Sequence, residues 1–229
     1  MLNRDAICSG AFLRSFASLP ENMLWTQAQI DESLEKTIAC RPNAADSPDV
    51  WVFAYGSLMW NPVCRFEERV IATVDGYHRS FCIRIIAGRA SPKRPGRMLS
   101  LEPGGTTEGV VLRMPRDTLA EELRILWIRE MVTGAYTPTW APFTTRDGST
   151  GHAIAFLANP AQVQYEADTR PVVIAPLMAN TAGPIGTNAE YVFNLQRALA
   201  DCNMKDGYID ALVHELSRVQ PLVADCPSE

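Results

Sequence analysis

Glu130 is the residue of this chain best placed for proton chemistry. On a helix over residues 117 to 134, at about 100° per residue, Leu119, Leu123, Leu126 and Trp127 form one apolar stripe. Glu130 follows Leu126 by four positions and Trp127 by three, so it falls inside that stripe, while Glu121 and Glu122 fall outside it. A carboxylate on a core face is costly to desolvate unless it is paired or used. One reading is a structural ion pair to Arg129, Arg124 or a distant arginine. The other is a general acid/base whose pKa is raised by burial, so that it takes and returns a proton near neutral pH. The second candidate is Tyr55-Gly56-Ser57-Leu58, which interrupts an apolar strand within "WVFAYGSLMW". Gly56 permits positive φ or a close backbone approach. A strand that breaks there can turn N–H groups toward a carboxylate or a carbonyl oxygen. The plain alternative is a bend or bulge. Ser57 is a poorer candidate nucleophile, because Met59 stands where the last glycine of G-x-S-x-G belongs and no histidine lies nearby in sequence.

A third feature is a run without acidic residues between Asp75 and Glu102, holding Arg79, Arg84, Arg89, Lys93, Arg94 and Arg97. Solvated strand edges explain it, as does recognition of a small anion. Nucleic acid is disfavoured by the net charge of -5 and by the lack of interleaved aromatics. The three histidines, His78, His152 and His214, have no ligand spacing, and the six cysteines contain no C-x-x-C pair. No metal site is expected, and reduced thiols suit a cytoplasmic protein. "GPIGTN" (183 to 188) reads as a turn before a helix capped by Thr187 or Asn188, not as a phosphate loop.

The elements that position these residues follow from pattern. The 229 residues, 47% hydrophobic and 21% charged, suffice for a sizeable core. No apolar run approaches the roughly 18 residues of a membrane span, and the N-terminus makes a poor signal peptide, with Asp5 and Arg14 in the wrong places. Residues 21 to 40 read as a helix and 41 to 49 as a Pro/Asp/Ser/Asn linker. The expected organisation is therefore a helical extension and linker over residues 1–49, then a main domain over 50–229. "VWVFAY", "RVIATVDGY", "SFCIRII", "RMLSLE" and "GVVLRM" read as separate short strands. A helix then spans 115 to 134, with Thr118 and Glu121 as a capping box and Gly134 as its stop. "AYTPTWAPFTT" and "HAIAFLA" return to strand, and helices close the chain. Strands first and helices later predict an α+β fold around a mostly antiparallel, barrel-like sheet.

Four segments, "VFAYGSLMWNP", "RPGRMLSLEPGG", "LWIREMVTGAYTPTW" and "ANTAGPIGTNAEYVFNL", in that order, resemble the ChaC family of γ-glutamylcyclotransferases. The likeness runs from about residue 20 to 215 of the chain. Eukaryotic members carry a Gly-Ser-x-Asp-His-Arg-Gly stretch before the Pro-Gly-Arg segment, where this chain reads "RIIAGRASPKRPGR". The resemblance implies a small β-barrel ringed by helices, of the γ-glutamylcyclotransferase-like type. It implies cofactor-free cleavage of glutathione to 5-oxoproline and cysteinylglycine. The expected partner is that small substrate alone, with neither nucleic acid nor membrane bound, in a monomer or weak dimer. The resemblance also implies that Tyr55, Gly56, Ser57 and Leu58 cradle the substrate, that Glu130 in "REMVTGAY" is catalytic, and that Tyr136, which closes that motif, binds substrate. In such a reaction the substrate's own α-amine attacks its γ-carbonyl, so no enzyme nucleophile is needed. Two alternatives stay open: a cyclotransferase for other γ-glutamyl amines or amino acids, and a non-enzymatic regulator of cation transport.

Overall fold

The computed structural model describes residues 2–16, 19–42 and 47–219. Part of the expected linker, 43–46, and the end of the main domain, 220–229 with Cys226, lie outside them. Two short helices, α1 (Arg4–Cys8) and α2 (Ala11–Arg14), precede a longer one, α3 (Gln27–Ala39). The helix expected from residue 21 thus begins at Gln27. Thr26 caps it in a reciprocal capping box with Gln29, which satisfies two of the amides that a helix start leaves unpaired.

Five strands close a barrel in the order β1-β3-β2-β4-β5. They are β1 (Trp51–Ala54), β2 (Glu68–Ile85), β3 (Gly96–Arg113), β4 (Tyr136–Thr145) and β5 (Thr150–Ala158). Neighbours are mostly antiparallel, and the seam is a short parallel pairing of Trp51 with Ala153 and Val52 with Ile154. The α+β barrel expected from the pattern is present. The five short strands expected over residues 50 to 113 are three: "RVIATVDGY" and "SFCIRII" form one 18-residue strand, and "RMLSLE" and "GVVLRM" another. The glycines that look like turn punctuation bend the pair instead. Gly76, Gly104 and Gly105 all have positive φ, beside a register shift between Asp75 and Tyr77. Such irregularities let long strands coil enough to close a barrel.

Next comes α4 (Leu119–Glu130), between β3 and β4. Leu123, Leu126 and Trp127 are buried on its inner face. Trp127 meets Phe156 edge-on at 5.2 Å, and its indole N–H donates to Ser33 Oγ at 3.2 Å. This helix is shorter than expected at both ends. Thr118 has φ -118 and ψ 16 and makes no side-chain cap, so the Thr118–Glu121 box does not form. An N-cap needs an extended backbone, and the Glu121 carboxylate is taken by Arg4 Nη2 at 2.7 Å. At the other end the chain turns out after Glu130, Val132 O accepts from Trp25 N–H at 3.0 Å, and Gly134 adopts φ +61. A Cβ on Gly134 would stand 2.0 Å from Trp25 Nε1. Gly134→Ala is therefore expected to lower the unfolding free energy by about 1–3 kcal/mol from the backbone alone, with the clash adding to it. Urea unfolding of the two proteins measures the difference.

The remaining helices are α5 (Pro171–Ala179), α6 (Asn188–Asp201) and α7 (Gly207–Val219), with a two-residue hairpin, β6 (Ala182–Gly183) and β7 (Gly186–Thr187), ahead of α6. Thr187 caps α6 by accepting from Glu190 N–H at 3.0 Å. Asn188 fixes the start of α6 to β3: it accepts from Arg97 N–H at 2.8 Å and donates to Arg97 O at 2.7 Å. That clamp brings Tyr191, one turn on, over the end of β1.

Candidate active site

A cavity of about 280 Å³ opens where β1 ends and α4 ends, and all six expected site residues line it: Tyr55, Gly56, Ser57, Leu58, Glu130 and Tyr136. After Ala54 the chain leaves the barrel through Gly56 into a single 3-10 turn, Ser57–Met59. Gly56 has φ -133, so the glycine is not there for a left-handed backbone. It is there for close approach: a Cβ would stand 2.8 Å from Tyr191 Oη and 3.0 Å from Leu99 Cδ2. Tyr191 Oη accepts the Ser57 N–H at 3.1 Å. The Ser57 amide is thus engaged by a phenol rather than left open.

Behind the turn stands a buried arginine. Arg79, 3% exposed, donates Nε to Tyr55 O at 2.8 Å and Nη1 to Asp206 Oδ2 at 2.9 Å. Asp206 Oδ1 in turn accepts the first amides of α7, Tyr208 and Ile209. Burial lowers the Arg79 pKa, and Asp206 opposes that. The Tyr55 phenol donates to Phe156 O, and Tyr136 Oη donates to Leu99 O at 3.1 Å. Burial pushes the pKa of Tyr55, Tyr136 and Tyr191 upward, so all three stay neutral phenols.

Both readings of Glu130 meet in one geometry. Arg129 Nε lies 2.9 Å from Glu130 Oε1, the ion pair read from sequence. Yet that oxygen is buried and receives no well-aligned hydrogen bond. The Arg129 fork is spent elsewhere: Nη2 donates to Ser57 Oγ at 2.7 Å and Nη1 to Asn61 O. Burial raises the Glu130 pKa above the ordinary carboxylate range, and the Arg129 charge opposes the rise. A buried carboxylate with a free acceptor lobe at a cavity wall is suited to take a proton from a ligand. Ser57 Oγ faces a guanidinium, not a base, and no histidine lines the cavity.

The sequence names Arg129 only as one ion-pair partner for Glu130 and gives it no further role in the site, and it does not single out Tyr191. A functional signal for Arg129 existed in its position beside a stripe carboxylate; Tyr191 gave none. Glu122 corrects the sequence reading. Placed outside the apolar stripe, it is nevertheless 0% exposed, because α1 covers that side of α4 and supplies Arg4 as its partner at 2.6 Å. The basic run disperses. Among the described residues only Arg89 of that run lines the cavity, donating to Thr187 O at 2.8 Å and Glu190 Oε2 at 2.9 Å. Among the described residues no group of His, Cys, Asp and Glu side chains could hold a metal ion, and no helix is long and apolar enough to cross a membrane.

The closed five-stranded barrel with helices around it is a fold shared with γ-glutamylcyclotransferases of known structure. A yeast γ-glutamylcyclotransferase specific to glutathione superposes with a TM-score of 0.71 at 20% identity, over 76% of this chain and 97% of that one. The family model described as "ChaC-like protein" matches residues 50–219, and the chain belongs to the ChaC family. A glutathione-specific γ-glutamylcyclotransferase of Escherichia coli (strain K12) is 46% identical over 98% of this chain and 95% of its own length. Glutathione-specific γ-glutamylcyclotransferase 1 of Homo sapiens is 29% identical over 82% of this chain and 86% of its own.

Proposed function

We propose that the protein is a glutathione-specific γ-glutamylcyclotransferase with Glu130 as its general acid/base. The observation that carries the catalytic assignment is the buried Glu130 Oε1, paired with the Arg129 charge at 2.9 Å yet receiving no well-aligned hydrogen bond, in a cavity that offers no nucleophile–base pair. The substrate supplies the nucleophile. Its α-amine is mostly protonated at neutral pH, with an ordinary pKa of about 8. Glu130 takes a proton from that amine. The nitrogen then attacks the γ-carbonyl carbon, the new C–N bond closes a five-membered ring, and the amide C–N bond to cysteine breaks. The ring nitrogen gives up its second proton as that bond breaks, and the leaving nitrogen gains both protons by way of Glu130 and departs as an ammonium. One glutathione gives one 5-oxoproline and one cysteinylglycine, with no water consumed and no cofactor. Proton transfer of this kind contributes about 10²–10⁴-fold. The Tyr55–Leu58 turn holds the γ-glutamyl group bent for attack, with Tyr136 in the wall beside it.

Several features support this reading. The cavity, at about 280 Å³, falls just under the roughly 300–1,000 Å³ of ligand sites, in keeping with a small substrate. The cysteines of the described residues are all unpaired, in keeping with a cytoplasmic enzyme working among reduced thiols. Incubation with millimolar glutathione, followed by mass spectrometry, is expected to give 5-oxoproline and cysteinylglycine in equal amounts. Bound but unconsumed glutathione would point instead to a binding protein, and turnover of other γ-glutamyl amines alone would move the substrate. Ser57→Ala removes one of the Arg129 contacts and leaves the backbone turn. It is expected to lower kcat by less than about tenfold, since a lost nucleophile costs far more. Abolished turnover in that variant would revive Ser57 as nucleophile.

A further inference from the structure

The N-terminal helices belong to the cavity. Leu2, Phe12 and Phe16 line it, and all three precede residue 50, where the match to the family model begins. Their seat is specific. Arg4 of α1 reaches both oxygens of the buried Glu122, at 2.6 and 2.8 Å, and the Arg65 N–H adds a third donor at 2.8 Å. Asn61 Nδ2 donates to Leu2 O at 3.0 Å, while the carbonyl of the same asparagine accepts from Arg129. Phe12 packs with Ile7 and Ile125, and Phe16 meets Phe12 edge-on at 5.1 Å. One side of α4 therefore carries Glu130, and another anchors the segment that walls the same cavity.

The chemistry of that wall is one-sided. Leu2, Phe12 and Phe16 bring only hydrocarbon, and the Arg4 charge is turned away to Glu122. The cation of the cavity's other wall is Arg89. With the γ-glutamyl group held by the turn and Glu130, the rest of the wall meets the leaving dipeptide. A carboxylate suits the Arg89 side, and a thiol side chain suits the apolar side. We propose that Leu2, Phe12 and Phe16 are specificity-determining residues that limit what the cysteinyl sulfur can carry, an inference that rests on the glutathione reading above. The free thiol fits, and S-alkylated glutathione is held off by the aromatic wall until that wall is cut back.

Affinity decides this without relying on turnover. Glutathione and S-hexylglutathione are titrated calorimetrically into proteins with the wild-type wall, Phe16→Ala and Phe12→Ala, each also carrying Glu130→Gln so that glutathione is bound without being consumed. The protein with the wild-type wall is expected to bind S-hexylglutathione at least about tenfold more weakly than glutathione, and each truncation to shrink that ratio by about tenfold, the scale of a few methylenes in a shaped pocket. Equal or tighter binding of S-hexylglutathione to the protein with the wild-type wall overturns the proposal. So does an unchanged ratio in truncated variants that keep the wild-type circular dichroism. If Phe12→Ala does not fold, Phe16→Trp at the half-buried position decides, because it should widen the ratio. Wild type that binds glutathione yet forms no 5-oxoproline would sink the cyclotransferase reading while the ratio still judges the wall. Wild type that binds neither ligand sinks both.

Discussion

Glu130→Gln is expected to fold and to lose turnover of glutathione by at least about 10²-fold, the scale of lost acid–base catalysis. The substitution keeps the shape and one acceptor oxygen, so the cavity wall and the Arg129 neighbour stay in place. What it removes is the ability to take up and hand back a proton. Because that ability matters in the transition state, kcat and kcat/KM should fall together while substrate affinity changes little. Stability supplies the control. A native carboxyl whose pKa is raised by burial binds more protons than the unfolded chain in the window between its unfolded value, about 4.3, and its raised native value. Stability from that group is therefore full below the window and declines as pH rises through it. Glu130→Gln lacks this decline, so at neutral pH its Tm should equal or exceed that of the wild type. An inactive variant with a lowered Tm would indicate a structural ion pair instead, and undiminished turnover would remove Glu130 from the mechanism.

Arg129→Gln is expected to lose at least about tenfold in kcat/KM near neutral pH and to move the acid limb of the pH profile upward. Arg129 is 6% exposed, joins Ser57 Oγ and Asn61 O to the end of α4, and holds its Nε beside Glu130. Its charge is what restrains the burial-driven rise of the Glu130 pKa. Without it Glu130 stays protonated to higher pH, and a protonated carboxyl cannot accept the amine proton. Removing Arg129 also leaves Ser57 Oγ and Asn61 O without their donor, at about 1–3 kcal/mol for a buried group left unsatisfied, so Arg129→Lys is the discriminating companion. Lysine keeps the charge but not the fork. It should return the acid limb toward the wild-type position and leave kcat impaired, because the Ser57 turn loses its brace. An acid limb that ignores the charge at this position would show that another group titrates there.

How far these features were legible depended on whether their cause was local. Glu130 stood out because a single helix sets both its spacing and its apolar neighbours, and the Tyr55–Leu58 turn stood out because a glycine broke an otherwise continuous strand. Thr187 as a helix cap was equally local. Glu122 was misplaced because the cover over it comes from α1, far away in the chain. The Thr118–Glu121 box failed for the same reason, since Arg4 competes for Glu121. The break expected between "RMLSLE" and "GVVLRM" falls at Gly104 and Gly105, because a glycine that ends a strand and one that bends it look alike until the partner strand is known. Tyr191 reaches Ser57 only through the Asn188 clamp on Arg97, a pairing of side chain and backbone that no sequence period announces.

The parallel seam of the barrel bears on how the molecule is made. Trp51 and Val52 find Ala153 and Ile154 as partners, so β1 leaves the ribosome long before the strand that completes it. Contacts so distant along the chain form slowly, because loop closure must precede their reward. In the interval the "WVFA" strand is open on one side, the kind of edge that invites misassembly during synthesis. Tyr55, Glu130 and Tyr191, all needed around one cavity, can meet only after residue 191 has cleared the exit tunnel. A chain stopped anywhere short of that point should therefore emerge as an inert, chaperone-dependent fragment and never as a slower enzyme.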